Sequence, residues 1–320
     1  MRFLTADLKP TKKKFIAAVC AVLSLSLAAG VFFRGSESGL YEVSAEIQQK
    51  KFIKWVDFSV SCTAMKQALK YQKDDGLDWI QLLSVAACKN GGHFSDKKNN
   101  DIDDTAKRLK NGESIDSICS SKYYSYYFEA YTAVLGGLAD KNGLTAYSPI
   151  AKGRSYSHSD DFGNGRSYGF KRKHLGNDLM GSVGTPIIAV EGGIIETMGW
   201  NRYGGWRIGI RSFDTKRYYY YAHLRRGHPY VNTLKEGMEV KAGDVIGYLG
   251  MTGYSDNEDY NGMQVPHLHF GMQIIFDESQ KDTNNEIWID VYEIINLLQN
   301  RRSTVRKNEQ SGDYERADAT

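Results

Sequence analysis

The hydrophobic and polar positions divide the chain into three stretches of different character. Residues 15–33 form an uncharged, mostly apolar run of 19 residues, about the length that a membrane-spanning helix needs. Between residues 41 and 140 apolar side chains recur at helical spacing, whereas from residue 149 onward they fall in short runs separated by glycine-containing turns. The pattern predicts an α+β protein of several domains: an N-terminal transmembrane helix, a small all-α domain and then a β-rich domain.

The charges around the apolar run predict its orientation. Residues 1–14 carry five Lys and Arg side chains against a single Asp, and this basic segment is expected in the cytoplasm. The prediction is a single-pass protein of the cell membrane with everything after Arg34 outside the cytoplasm. Small residues around Ala28 offer an alternative, in which a signal peptide is cleaved and the rest is secreted. We favour the uncleaved anchor at residues 15–33, because the apolar region of a signal peptide is usually shorter, roughly 7–15 residues.

Three helices are predicted within residues 34–145, the expected all-α domain. The segment 79–87 is apolar almost all round, which indicates a buried helix, and Asp78 can cap its start. Residues 102–109 follow helical spacing, and 123–135 form an aromatic-rich segment whose tyrosines fit a packing face. We assign no chemistry to this region, and the sequence names no partner for it.

Short strands and turns are predicted after residue 149. Their expected hairpin pairs are 186–190 with 194–197, 206–211 with 216–223, and the two halves of 240–249. A helix over residues 291–298 closes this part. In the last segment, 299–320, 9 of the 20 residues after Asn300 are charged, which predicts a disordered tail.

Composition excludes several classes of protein. The chain has 41 Lys and Arg against 38 Asp and Glu, so its charge gives no reason to expect nucleic-acid binding. Four cysteines in 320 residues exclude a disulfide-dense scaffold, although two of Cys62, Cys88 and Cys119 could pair outside the cytoplasm. Six of the seven histidines lie between His158 and His269, which directs the search for chemistry to the β-rich part.

The histidine pair His267-Leu268-His269 carries the sharpest chemical signal. On a strand, residues i and i+2 project to the same face, so the two imidazoles could be two metal ligands, or one ligand beside an acid/base group, or two solvent-facing side chains. His174 and Asp178 lie four residues apart, and imidazole and carboxylate both suit zinc, although a basic surface run and a turn carboxylate would look similar. His223 ends a predicted strand. The remaining histidines, His93, His158 and His228, are interpreted as structural.

These pieces together resemble the lysostaphin/LytM-type zinc metallopeptidases, which cleave peptides of bacterial cell walls. The resemblance rests on His174 with Asp178, on Tyr221-Ala222-His223-Leu224, and on Pro266-His267-Leu268-His269-Phe270. The segments Gly184-Thr185-Pro186 and Gly250-Met251-Thr252-Gly253 resemble the family's sequence between these motifs. The similarity covers about residues 146–295 and implies a LytM-like antiparallel sheet domain over 146–298.

The resemblance implies one zinc ion per chain. By analogy the metal ligands are His174, Asp178 and His269, while His223 and His267 are catalytic and lie beside the water on the zinc. Three protein ligands leave a fourth position for that water, as catalytic zinc sites require. The implied activity is a membrane-anchored metalloendopeptidase acting on peptidoglycan stem peptides or cross-bridges. We expect four loop aromatics to line its substrate groove: Trp200, Tyr203, Trp206 and Tyr254.

Two other functions compete with this one. The fold could serve a non-catalytic protein that docks a partner or the wall outside the membrane. Such relatives usually lose zinc-site residues, and all five are present here, which favours the enzyme. A carrier domain of lipoyl or biotinyl type is set aside, because the turn at residues 191–193 has no lysine.

Overall fold

The computed structural model describes residues 52–167, 171–281 and 283–317, which belong to one compact unit, Lys51–Thr320. The predicted anchor at residues 15–33 lies outside the described residues. Within the described ranges, none of the helices has both the length and the apolar character needed to cross a bilayer.

From residue 52 onward, five helices form the N-terminal part: α1 (Cys62–Asp75), α2 (Trp79–Asn90), α3 (Asn100–Lys110), the single turn α4 (Ile115–Ile118) and α5 (Tyr124–Leu135). The predicted cap of α2 is confirmed, because the Asp78 side chain accepts hydrogen bonds from the backbone N–H groups of Ile80 and Gln81. The buried helix predicted over residues 79–87 is also confirmed, since Leu82, Leu83 and their neighbours on this helix are fully buried. A sixth helix, α6 (Tyr292–Leu298), follows the sheet near the predicted position.

A seven-stranded antiparallel sheet forms the second part of the described chain. Its strand order is β10 (Glu239–Val240), β7 (Gly193–Asn201), β8 (Gly205–Ser212), β9 (Arg217–Ala222), β12 (His267–Ile274) and β13 (Ile287–Ile289), with β5 (Asn177–Met180) also paired to β12. The described residues also contain four small two-stranded sheets, formed by β1 (Ala139–Asp140) with β2 (Gly143–Leu144), β3 (Gly165–Ser167) with β4 (Lys171–Lys173), β6 (Pro186–Ile188) with β11 (Val245–Tyr248), and β14 (Val305–Lys307) with β15 (Tyr314–Arg316).

Strand pairing departs from two of the three predicted hairpins. The pair formed by β8 and β9 is confirmed. The predicted hairpin of 186–190 with 194–197 is wrong, because β6 pairs with β11 while β7 pairs with β8. The two halves of 240–249 likewise separate into β10 and β11, which join different sheets. An apolar run predicts that a strand forms, but its partner is set by contacts far away in the chain.

The helices and the sheet share one hydrophobic core. Arg217 on β9 is 1% exposed and donates a 2.7 Å hydrogen bond to the carbonyl oxygen of Ala133 on α5. The Arg217 guanidinium also pairs with Glu191 at 2.7 Å and with Asp214 at 2.6 Å, so the buried charge is compensated. Glu293 of α6 accepts a 2.7 Å hydrogen bond from the backbone N–H of Cys62 at the start of α1. These contacts fix the helical part against the sheet that carries the histidines.

The tail predicted to be disordered, 299–320, is instead folded over its described residues. Strands β14 and β15 form a hairpin, and Asp313 between them is only 6% exposed. The Asp313 carboxylate accepts hydrogen bonds from the Tyr248 hydroxyl at 2.9 Å and from the Asn232 backbone N–H at 2.8 Å. The high content of charged residues predicted disorder. The prediction failed because the sequence alone does not show that a carboxylate such as that of Asp313 is buried with hydrogen-bond partners.

The three cysteines of the described part of the chain are free thiols. The thiols of Cys88 on α2 and Cys119 after α4 interact directly, and burial together with this contact raises the pKa of Cys88 to about 12. Cys62 lies near Glu293 instead. Of the possible pairs in the sequence, the structure therefore brings Cys88 and Cys119 together.

Candidate active site

The motif His267-Leu268-His269 lies on β12, which pairs with β5 on one side and with β9 on the other. Within β12, His269 pairs with Asp178 of β5 on one side and with Ala222 of β9 on the other. His267, two positions earlier on β12, projects to the same face. His223 directly follows the end of β9, so it enters this face from the neighbouring strand. The sheet thus collects residues that are distant in sequence.

Two imidazole nitrogen atoms and one carboxylate oxygen atom converge beside β12. The Nε2 atom of His174 lies 2.8 Å from Nδ1 of His269 and 3.0 Å from Oδ1 of Asp178. The third distance, between His269 Nδ1 and Asp178 Oδ1, is 3.1 Å. Bonds of 2.0–2.2 Å to a tetrahedral zinc ion place neighbouring ligand atoms about 3.3 Å apart. The three residues predicted as metal ligands are therefore grouped at nearly the spacing of a zinc site.

The ionisation of these side chains also fits a metal. Burial raises the pKa of the Asp178 carboxyl, but the contacts with His174 and His269 together lower it more, and the pKa ends well below its ordinary value. Burial lowers the pKa of His269, and the attraction of Asp178 offsets this only in part. Zinc binds carboxylates and neutral imidazoles, so Asp178 and His269 have the protonation states that a zinc ion needs.

A second layer of residues orients His174 and Asp178, and sequence reasoning missed it. The Nδ1 atom of His174 lies 3.1 Å from the backbone carbonyl oxygen of Asp161, which can only accept, so the proton sits on Nδ1 and the Nε2 lone pair faces the centre. Arg166 donates 2.9 Å hydrogen bonds to Oδ2 of Asp178 and to the Asp161 carboxylate. Asn177 donates to the other Asp161 oxygen at 2.7 Å. None of these residues belongs to a motif that would have revealed it.

His223 is held in an unusual backbone conformation. Its φ of 62° is in the left-handed region that few residues other than glycine adopt, and its backbone N–H donates to the carbonyl oxygen of Gly204 at 2.7 Å. Nδ1 of His223 lies 2.8 Å from the Thr252 carbonyl oxygen, so Nδ1 is the donor and Nε2 carries the lone pair. Burial, and then the neighbouring His267 and His269, lower the pKa of His223 well below its ordinary value. His223 is therefore a buried, neutral proton acceptor.

His267 has the same tautomer as His223, and its other ring nitrogen has no hydrogen-bond partner among the described residues. Its Nδ1 lies 2.8 Å from the Val265 carbonyl oxygen, which assigns the proton to Nδ1. Its Nε2 is buried without a hydrogen-bond partner among the described residues, 3.8 Å from Oδ1 of Asp178. The rings of His267 and His223 lie 4.9 Å apart. Two imidazoles thus present lone pairs next to the three converging ligand atoms.

A groove of about 670 Å³ opens over this cluster. Tyr203 and Tyr254 line it, as predicted from the sequence, and Arg172 lies against both rings at 5.7 Å and 5.3 Å. Trp200 and Trp206 do not line it. They pack edge to face on each other at 5.7 Å, and the Trp206 indole N–H donates to Asp259. Asn201, the residue after Trp200 on β7, lines the groove, so strand alternation turns Trp200 and its cross-strand partner Trp206 to the other side.

The histidines interpreted as structural lie outside this cluster. His158 contacts the Asn177 side chain at 2.6 Å, one layer behind the ligand-type residues. His228 lies 2.8 Å from the Asp313 carboxylate and so helps to hold the C-terminal hairpin. His93 is exposed after α2.

Comparison with known proteins shows a family match over the segment that carries the histidine cluster. Residues 172–284, which contain all five histidine and aspartate positions of the cluster, match the family described as Peptidase family M23. The match covers about a third of the chain and confirms the resemblance of its β-rich part to the lysostaphin/LytM-type peptidases.

Among the curated proteins similar to this chain is the L-Ala--D-Glu endopeptidase of Bacillus subtilis, which is 39% identical over 124 residues. That match covers 39% of this chain and 36% of the Bacillus protein. Lysostaphin of Staphylococcus simulans is 39% identical over 98 residues, covering 30% of this chain and 17% of lysostaphin. The chain therefore spans only about a third or less of the length of these relatives.

A solved structure from Ruminococcus gnavus, assigned as a LytM-type glycyl-glycine endopeptidase, is similar over a longer part of this chain. It aligns with a TM-score of 0.53 and 25% identity, covering 76% of this chain and 90% of that one. Since 76% of 320 residues is about 243 and residues 146–320 number only 175, the similarity extends into the helical part. The combination of a small helical region with the LytM-like sheet is thus shared with that structure.

Proposed function

We propose that this chain is a zinc-dependent endopeptidase that hydrolyses peptide bonds of bacterial peptidoglycan. One observation carries the proposal: His174, Asp178 and His269 converge to within 2.8–3.1 Å beside two further histidines, His223 and His267, that line the same groove. The names of the relatives support the substrate class, since one is an L-Ala--D-Glu endopeptidase and another structure is assigned as a glycyl-glycine endopeptidase.

His174, Asp178 and His269 would hold the zinc, because their donor types and spacing fit it. A zinc ion held there supplies a Lewis acid for the scissile carbonyl and a nucleophile from water at neutral pH. Three protein ligands leave room for substrate. Arg166 and Asp161 keep the ligand-type side chains aimed at one point before any metal arrives, which reduces the reorganisation that binding requires.

The proton transfers are assigned to the two remaining histidines. Peptide hydrolysis requires that the attacking water lose a proton and that the departing amine gain one. Nε2 of His267 has no partner among the described residues, so it can accept the proton and return it. The ring of His223 lies 4.9 Å from the ring of His267, so its Nε2 is placed to hydrogen-bond the same reacting groups. The carbonyl oxygens of Val265 and Thr252 fix both tautomers in the state that this role needs.

We also propose that the basic residues 1–14 and the apolar run 15–33 anchor the chain in the cell membrane with the peptidase part outside. The charge distribution of the sequence supports this placement. Secretion after cleavage near Ala28 would instead yield a shortened chain in the medium.

The test is digestion of purified peptidoglycan sacculi by the purified full-length chain. We expect soluble fragments with new peptide termini, identified by mass spectrometry, and we expect a chelator to abolish their release and added zinc to restore it. Binding to sacculi without any new termini, in the presence of zinc, would favour the non-catalytic docking function instead.

A further inference from the structure

A second groove extends the catalytic groove along the same face of the sheet. It has a volume of about 620 Å³ and shares Arg172, Tyr220 and His269 with the groove over the histidine cluster. Its far end is lined by Gln273 and Trp288. A substrate that enters the histidine cluster can therefore continue along the sheet without leaving the surface of the protein.

Strand alternation builds the floor of this second groove. On β12, His269 and Gln273 project to the groove side, and Gly271 lies between them. A Cβ atom at Gly271 would come within 2.9 Å of both the Leu175 carbonyl oxygen and the Trp288 ring, so glycine keeps this part of the floor clear. Gln273 is four residues from His269, which corresponds to about 13 Å along the strand.

Arg207 reaches the same face from β8. Ile208 pairs with Tyr221, and Ala222, the next residue of β9, pairs with His269, so Arg207 lies level with His269 two strands away. Two strand spacings correspond to about 10 Å at the backbone. An extended peptide covers this distance with about three residues. Arg207 is therefore placed to contact a group carried two or three residues from a bond held at the histidine cluster.

The groups lining the second groove favour a negative ligand. Four cationic side chains contribute to it, Arg172, Lys173, Arg207 and Lys281, against the carboxylates of Glu196 and Glu286. Glu196 is already used, since it pairs with Arg211 at 2.8 Å and with Lys281. Glu286 accepts a 2.7 Å hydrogen bond from the Trp288 indole. Glu286 keeps its negative charge, so the cations of the lining exceed the carboxylates by two, and the cations other than Lys281 are Arg172, Lys173 and Arg207.

Three buried donors in this groove lack acceptors among the described residues: the Nε atoms of Arg172 and Arg207, and the Nε2 atom of Gln273. Gln273 is 4% exposed, and its Nε2 has no hydrogen-bond partner among the residues that the structure describes. The same holds for Nε of Arg207. A buried donor without an acceptor costs about 1–3 kcal/mol, so a ligand that supplies oxygen acceptors here recovers a penalty that the folded chain otherwise carries.

We propose that the second groove is a subsite for a carboxylate on the peptide substrate, with Arg207 as the main charge partner and Gln273 as a further donor. This inference rests on the proposed function and deepens it: the preferred substrate is an acidic stem peptide and not an uncharged glycine bridge. A guanidinium can hold a carboxylate by two parallel hydrogen bonds, which selects it over an amide of the same shape.

The experiment measures peptide binding separately from cleavage. The full-length chain is treated with chelator, so that no hydrolysis occurs and no metal contributes, and is titrated with two synthetic stem peptides by calorimetry. One peptide carries D-glutamate with a free α-carboxylate, and the other carries the corresponding α-amide; both have blocked termini. We expect the carboxylate peptide to bind about 10–100-fold more tightly, the range for a charge-assisted hydrogen-bonded contact.

Substitution identifies the residue responsible. Arg207→Gln should weaken binding of the carboxylate peptide to the level of the amide peptide and leave the amide peptide almost unchanged, while Arg207→Lys should restore part of the preference. Arg306→Gln is the matched control, because it removes the same charge from an exposed pair with Glu315 on the C-terminal hairpin. Equal binding of both peptides by the unaltered chain, or a preference that survives Arg207→Gln, would overturn the subsite. Neither result would contradict the proposed peptidase activity, because that activity is tested separately by sacculus digestion.

Discussion

The Nε2 atom of His174 lies 2.8 Å from the Nδ1 atom of His269, although 95 positions separate the two residues in sequence. His174 follows the short hairpin of β3 and β4, whereas His269 lies within the central strand β12. Their contact exists only when the whole sheet is assembled. Any ion bound between them must therefore stabilise the folded chain relative to the unfolded one.

The two histidines outside the ligand-type group should affect rate without affecting metal content. We expect His223→Ala and His267→Ala to slow sacculus digestion about 10²–10⁴-fold, the usual contribution of a positioned acid or base. Zinc per chain should stay unchanged, because neither side chain is needed for three-residue coordination. Initial rates of fragment release, normalised to zinc content, give the measurement. A rate within a factor of two of the unaltered chain for both variants would remove them from the mechanism.

Asp161 should tune the affinity for zinc without contributing a ligand atom. Its carboxylate lies 3.2 Å from Nδ1 of His174 and accepts hydrogen bonds from Arg166 and Asn177. Loss of such an outer-shell partner typically costs about 10–100-fold in metal affinity. We expect Asp161→Ala to shift competition with a zinc chelator by that factor. Asp256→Ala, at an exposed surface pair with Arg202, serves as the control and should show no shift.

The C-terminal hairpin should contribute measurably to stability. Asp313→Ala leaves the Tyr248 hydroxyl and the Asn232 N–H without their acceptor, and the loss should be about 1–3 kcal/mol. Burial raises the pKa of Asp313, but its hydrogen bonds lower it more, so the contribution is present above the ordinary pKa of an aspartate and declines as the pH falls below it. Thermal unfolding at pH 7 should show a lower midpoint. An unchanged midpoint would mean that the hairpin is not packed as described.

The ionisation of Asp290 should change the stability with pH in the direction opposite to that of Asp313. Burial, and then the nearby Asp160, raise the pKa of Asp290 to about 6. Between its ordinary value and about 6 the folded chain binds more protons than the unfolded chain, so this residue makes stability fall as the pH rises through that window. Asp290→Asn keeps an acceptor for the Tyr292 N–H and removes the charge. We expect it to raise the unfolding midpoint by a few degrees at pH 7.5 and to change it little at pH 4.5; equal effects at both pH values would contradict the assignment.

The parts of the site that lie in motifs could be predicted from the sequence, and the parts that support them could not. His267 and His269 alternate on a strand, so their shared face follows from spacing alone. Asp161 and Arg166 have no spacing rule, because they reach His174 and Asp178 through a loop and a short hairpin whose path depends on the fold. The same reason explains why Arg207 and Gln273 carried no signal in the sequence.

The fold divides in a similar way. Local features such as the Asp78 cap of α2 depend on neighbouring residues and were predictable. Pairing of β6 with β11, and not with the adjacent β7, depends on residues almost 60 positions away. Trp206 shows a third limit, since an aromatic residue in a run near the site can face either side of a strand until its register is known.

Zinc content compared between His269→Ala and His267→Ala tests the central claim most directly. The geometry places His269 Nδ1 within 3.1 Å of both other ligand-type atoms, whereas His267 Nε2 is 3.8 Å from Asp178 and has no partner in the described part of the chain. Purified full-length variants, loaded with zinc and dialysed, are analysed by elemental mass spectrometry. We expect about one zinc per chain in the unaltered protein and in His267→Ala, and far less in His269→Ala. Zinc retained by His269→Ala and lost from His267→Ala would contradict the account.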